Sequence, residues 1–176
     1  MGLRHWPFVA VIAIAIVLLG SCVLIFNLPR TETFSGAGGT ISSGTTTEFP
    51  LTVDVAGEIR EIESVSLTGL SHPDSQALNI QLQAPGLFDT ALSQYRGNGS
   101  QSFDGDYVFV DLGSDSGADT YLPESGDIYE TTYESSTDLD EFDGKDTHGV
   151  WKLVFFNTGA TGSLDGWSLE LTYKEY

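Results

Sequence analysis

The sequence predicts an all-β fold, an antiparallel β-sandwich preceded by one N-terminal transmembrane α-helix. Three observations carry this expectation. From Glu48 onward, short runs alternate apolar and polar residues and are separated by Gly, Pro and Asp turns. No helical period appears after Phe26. And Phe8–Phe26 is an uncharged run that would span roughly 28 Å as a helix, about the hydrocarbon thickness of a bilayer.

Residues 1–28 are therefore expected to be a membrane anchor. Arg4 precedes the run, Trp6 sits at an interface-like position, and a strongly acidic remainder follows Arg30. This places the N-terminus in the cytoplasm and the C-terminal domain in the periplasm or outside the cell. Leu19-Gly-Ser-Cys22 is similar to a bacterial lipobox, in which Cys22 would carry lipid; against this, Val23–Phe26 continues the apolar run. Under either reading the chain is held to a bilayer, and Gly20 and Ser21 are small enough for another helix to pack closely. Cys22 is the only cysteine, which excludes an intrachain disulfide and a cysteine-based zinc site.

Residues 29–47, with Pro29 and the stretch SGAGGTISSGTTT, read as a Gly/Ser/Thr-rich linker. The alternative is that Thr33–Ile41 lies on a partner, since glycine permits close backbone approach.

Residues 48–176 are expected to form the sandwich. Phe49–Val55 alternates; Ile59, Ile62 and Ser64–Leu70 form a second strand with a bulge; Asn79–Gln83, Phe88–Leu92 and Tyr107–Leu112 follow. Gly149–Leu171 reads as a closing hairpin. Trp151, Leu153 and Phe155 mark one strand, Asn157–Gly162 is turn chemistry, and Leu164, Trp167, Leu169 and Leu171 mark the other. Because a lone hairpin is marginally stable, this one must pack on a second sheet.

About 130 residues outside the anchor suffice for one core. Twenty-five acids against seven bases, a net charge of −18, argue against nucleic acid and anionic lipid headgroups as partners. Such a charge serves solubility or salt adaptation, or else a cation or a basic partner.

Two blocks carry a family resemblance. Gly149-Val-Trp151-Lys-Leu153 with Gly162-Ser-Leu164-Asp-Gly-Trp167-Ser-Leu169 resembles the closing segment of the P domain (P/Homo B domain) of subtilisin-like proprotein convertases. Val65-Ser-Leu67-Thr-Gly-Leu70-Ser-His72, followed by Leu78-Asn-Ile80-Gln-Leu82-Gln-Ala-Pro85-Gly86, resembles that family's earlier strand pair. Together they span roughly Phe49 to Tyr173. The resemblance implies a jelly-roll sandwich that is non-catalytic and stabilises a neighbour by packing against it. One position departs: Ala77 stands where the family has an aspartate.

No enzyme is expected. Nucleophilic catalysis needs a nucleophile, a base and an orienting acid. Beyond the anchor only His72 and His148 offer imidazole, both at strand ends, and no Gly-x-Ser-x-Gly elbow exists. The resemblance places proteolytic residues in a separate catalytic domain. Calcium is the ion it implies, with Asp104, Asp106, Asp111, Asp115 and Asp119 as candidate ligands. Asp138, Asp140, Glu141, Asp143 and Asp146 form a second acidic group, and neither group has the spacing of a calcium loop. Tyr121, Tyr129 and Tyr133 lie in an acidic stretch suited to partner docking; with Tyr95 they are also candidate platforms for sugar.

The expected function is an accessory, stabilising subunit of a larger membrane complex, respiratory or photosynthetic among the types that fit. Its partners are other membrane or extracytoplasmic subunits and, through Phe8–Phe26, the bilayer. The alternative is a surface lipoprotein or module binding calcium or glycan.

Overall fold

Alternation of side chains across a strand turns a period-two sequence into one apolar and one polar face, and two such sheets bury their apolar faces together. The computed structural model describes residues 28–86, 89–95, 101–111, 123, 128 and 131–176. It is all-β. The strands are β1 (Arg30–Ile41), β2 (Thr45–Val53), β3 (Gly57–His72), β4 (Leu78–Gln83) and β5 (Asp89–Gln94). They continue with β6 (Phe103–Val110), β7 (Thr132–Glu134), β8 (Gly149–Asn157) and β9 (Gly162–Glu175). One sheet has the order β1-β9-β3-β6-β7, the other β2-β8-β4-β5. All pairs are antiparallel except β6 with β7.

The core lies between the sheets. Phe49, Leu51, Leu82, Trp151, Leu153 and Phe155 from one meet Val65, Leu67, Phe109, Leu169, Leu171 and Tyr173 from the other, all buried. Each such side chain contributes about 1.5–3 kcal/mol on burial. Phe49 and Phe155 pack edge-on at 5.7 Å. A short 3-10 turn at Leu139–Phe142 closes one end, setting Phe142 5.6 Å from Trp151, whose Nε1 donates to the Thr147 carbonyl at 2.9 Å.

The closing segment is not a hairpin. β8 and β9 belong to different sheets, so residues 158–161 carry the chain across the sandwich, and the two strands face each other through the core. The alternation is the same in both arrangements, and the bend decides between them. Asn157 Nδ2 donates to the carbonyls of Ser42 (3.1 Å) and Ala160 (2.6 Å), and its Oδ1 accepts from Gly159 N (2.8 Å).

The expected linker at 29–47 is also different: it contains β1 and the start of β2. β1 pairs with β9 without a register shift from Arg30↔Tyr173 to Ile41↔Gly162. Close backbone approach is the reason for its glycines, but the approach is to the chain's own β9. Among the described residues no helix is long and apolar enough to cross a membrane. The expected anchor Phe8–Phe26, Cys22 included, lies outside them.

Candidate functional site

β6 ends at Val110, and the next residue, Asp111, reaches toward the 3-10 turn that follows β7. Its Oδ1 accepts from Leu139 N at 2.6 Å. Asp138 caps that turn, its Oδ1 accepting from Asp140 N at 2.9 Å. Asp111, half-buried, and the exposed Asp138 and Asp140 thereby bring carboxylate oxygens within 4.8 Å of one another. The loop beyond is pinned to the start of β3: Gly144 N donates to Ile59 O (2.9 Å), and Ile59 N to Lys145 O (2.8 Å). Here the β3–β9 register shifts, between Ile59 and Glu61. Glu61, at this shift, lies within reach of the charges of Asp143, Asp140 and Asp111.

The electrostatics follow from this convergence. Partial burial, then the charges of Glu63, Asp143, Asp140 and Asp111, hold the Glu61 carboxyl above its ordinary value. Asp143 is raised likewise, by burial first and then by Asp140, with Arg60 opposing. A hard cation takes six to eight oxygens. Asp111, Asp138 and Asp140 offer one each toward a common point, so the donor type fits and carbonyls or water would complete the shell.

Of the sequence-predicted ligands, the described ones, Asp104, Asp106 and Asp111, do not come together in one cluster. Asp106 Oδ1 is engaged by Gly69 N at 2.8 Å, which commits it to the β3–β6 irregularity between Leu67 and Leu70. Asp104 is exposed on β6, its N–H bonded to Tyr107 Oη at 2.9 Å. Among the described ones only Asp111 enters a cluster, and it does so with the second acidic group. Asp115 and Asp119 lie outside the described residues. Two separate acidic runs were legible; their meeting depends on a parallel β6–β7 pairing that no local pattern signals.

Tyr133 is corrected as a docking residue. On β7, opposite Phe109, its side chain is in the core. A tyrosine's apolar ring fills a core as readily as an interface, which is why composition misled. Tyr121 and Tyr129 lie outside the described residues. Tyr95 is exposed at the end of β5.

His72 is buried and built into the fold. Nδ1 lies 2.7 Å from the Asp74 carbonyl and Nε2 2.8 Å from that of Ala160, joining the end of β3 to the β8–β9 crossing. His148 is exposed, its N–H bonded to Asp146 Oδ1 at 3.0 Å. Ala77 packs under the crossing, where a methyl on Gly159 would stand 2.6 Å from its Cβ. The Ala77 carbonyl accepts from Thr158 N at 2.9 Å.

No family model matches the chain, and no curated protein does. Among solved structures it is similar to the Aeromonas sobria serine protease in complex with its chaperone ORF2, at 13% identity and a TM-score of 0.49, over 85% of this chain and 28% of that one. It is also similar to the serine protease of Aeromonas sobria, at 14% identity and a TM-score of 0.45, over 83% of this chain and 28% of that one. The chain thus spans under a third of either neighbour's length. At this similarity neither neighbour is a ground for assigning a role.

Proposed function

We propose that this chain is a non-catalytic interaction module: a P-domain-like jelly roll, held to a membrane by Phe8–Phe26, that docks on and stabilises another membrane or extracytoplasmic protein as an accessory subunit. The observation that carries the reading is the β1 edge.

Strand edges present unpaired backbone groups, and proteins guard them with proline, lysine, bulges or short length. Three edges of this sandwich are guarded. β2 carries Pro50, β7 has three residues, and β5 is flanked by the chain itself, with Ser136 N and Thr137 N bonded to the carbonyls of Leu92 and Ala91. β1 is different. Its twelve residues contain no proline or lysine, and its pairing with β9 has no register shift. At about 3.4 Å per residue it offers an edge of roughly 40 Å.

An edge of this kind takes an added strand, with main-chain hydrogen bonds supplying affinity. The occupant is an extended, basic segment of another protein, complementary to the net charge of −18 and to Glu32, Asp165 and Glu170 beside the edge. The test is purification of the full chain from its native membrane through a C-terminal tag in gentle detergent, with native mass measurement. Wild type is expected to retain stoichiometric partner chains, and the edge-charged variant Ala37→Lys to lose them. A wild-type monomer of 19.0 kDa plus detergent would overturn the reading.

A second reading, structural calcium, rests on the approach of Asp111, Asp138 and Asp140. Under it, millimolar calcium raises the melting temperature more than sodium chloride of equal ionic strength, and Asp138→Asn removes the difference. Equal effects of the two salts would leave only screening.

A further inference from the structure

The outer face of the four-stranded sheet carries a row that crosses all of its strands. Thr46 on β2 lies opposite Phe156 on β8, Phe156 opposite Asn79 on β4, and Asn79 opposite Gln94 on β5. Phe156 faces outward because its neighbours Phe155 and Asn157 are buried. Tyr95 stands beside the end of the row, 43% exposed. An open groove of about 310 Å³ runs here, lined by Gly44, Thr45, Thr46, Tyr95, Phe156 and Thr158.

We infer that this groove binds a neutral glycan, with pyranose rings resting against Tyr95 and Phe156. This goes beyond the docking reading, which concerns β1 in the other sheet. Three observations support it. First, the lining matches the ligand. A pyranose has an apolar face of C–H groups and a rim of hydroxyls, and the groove pairs two aromatic rings with the hydroxyl-bearing Thr45 and Thr46.

Second, Tyr95 is held where it is at a conformational cost. Its φ is +46°, left-handed backbone that a bulky side chain rarely adopts, and its N–H is tied to the Leu78 carbonyl at 3.0 Å. Such strain persists where the surroundings over-determine it, and it concentrates at ligand sites. The consequence here is an aromatic ring left in solvent at the groove.

Third, no charged side chain lines the groove, and a net charge of −18 disfavours anionic polysaccharides, so a neutral ligand is the one that fits.

The test is affinity electrophoresis of the purified full chain, in a detergent without a sugar headgroup, through gels containing xyloglucan, galactomannan or mixed-linkage β-glucan, with alginate as the anionic counterpart. At least one neutral polysaccharide is expected to retard the wild type. Tyr95→Ala should weaken that retardation roughly tenfold, the scale of losing an aromatic anchor, with the melting temperature unchanged. Tyr95→Phe should keep it. Absence of retardation by every neutral polysaccharide, retardation by alginate alone, or equal retardation of wild type and Tyr95→Ala would each overturn the inference.

Discussion

Gly36 lies directly opposite Trp167 in the β1–β9 pair, and the indole occupies the space a side chain at position 36 would need. Gly38 stands in the same relation to the Leu164 carbonyl. The glycines of β1 are therefore a packing requirement. They let an edge strand close over a buried tryptophan, and they make β1 part of the fold.

Replacing Gly36 by valine should destabilise the domain by about 1–3 kcal/mol, the usual cost of forcing atoms into an occupied site. Urea unfolding checks this through the midpoint at constant slope. An unchanged midpoint would mean that the segment behaves as a loose linker.

The crossing from β8 to β9 depends on two buried polar side chains. His72→Ala leaves the Ala160 carbonyl without its ring partner, and Asn157→Ala frees the Ser42 carbonyl and Gly159 N–H. Each is expected to cost about 2 kcal/mol, since it removes a buried side chain together with the hydrogen bonds that side chain makes. Because both side chains bond the Ala160 carbonyl, either one alone still pairs it, and the double variant, which leaves that carbonyl without a side-chain donor, should cost more than the sum. Strict additivity would show that they act separately.

These features mark the limit of what the residues alone reveal. The two-sheet, all-β core was legible, because Trp151, Leu153, Phe155 and Leu164, Trp167, Leu169 repeat with the period of a strand. Whether those strands pair or face each other was not legible; Asn157 and His72 settle it from positions far apart in sequence. Gly36 and Gly38 looked like linker because the reason for them sits on β9. Asp111 and Asp138 belonged to separate acidic runs, and tertiary pairing alone joins them. Tyr133 read as surface because tyrosine serves both environments.

The acidic group predicts its own pH dependence. Glu61 and Asp143 have folded-state values above their ordinary 4.5 and 3.8, so the folded chain binds their protons more tightly than the unfolded chain. Their contribution to stability is full below those ordinary values and is lost as the pH rises through the raised ones. At pH 7, Glu61→Gln should therefore stabilise the domain, by only about 0.3 kcal/mol because the group is exposed. The gain over wild type should shrink as the pH falls toward 4. Thermal melts at several pH values test this; a gain that grows on acidification would contradict it.

Tyr173 Oη donates to Glu32 Oε2 at 2.7 Å, and burial, this hydrogen bond and the glutamate charge push its pKa up to about 12. The phenol is protonated in the fold, so its contribution is full below pH 10 and lost as the pH rises through about 12. Ultraviolet titration should show a tyrosine ionising near that value, absent in Tyr173→Phe. If the variant leaves the high-pH end of the titration unchanged, the assignment is wrong.

The β1 edge is tested most directly by hydrogen exchange of the full chain, compared between the complex purified in gentle detergent and the same chain after its partners are stripped away. Exchange in peptides covering Arg30–Ile41 is expected to slow markedly in the complex, with Pro50 and its neighbours on β2 little changed, because an added strand protects amides that otherwise face solvent. Equal exchange of β1 in both states, with protection elsewhere on the sandwich, would contradict docking through this edge.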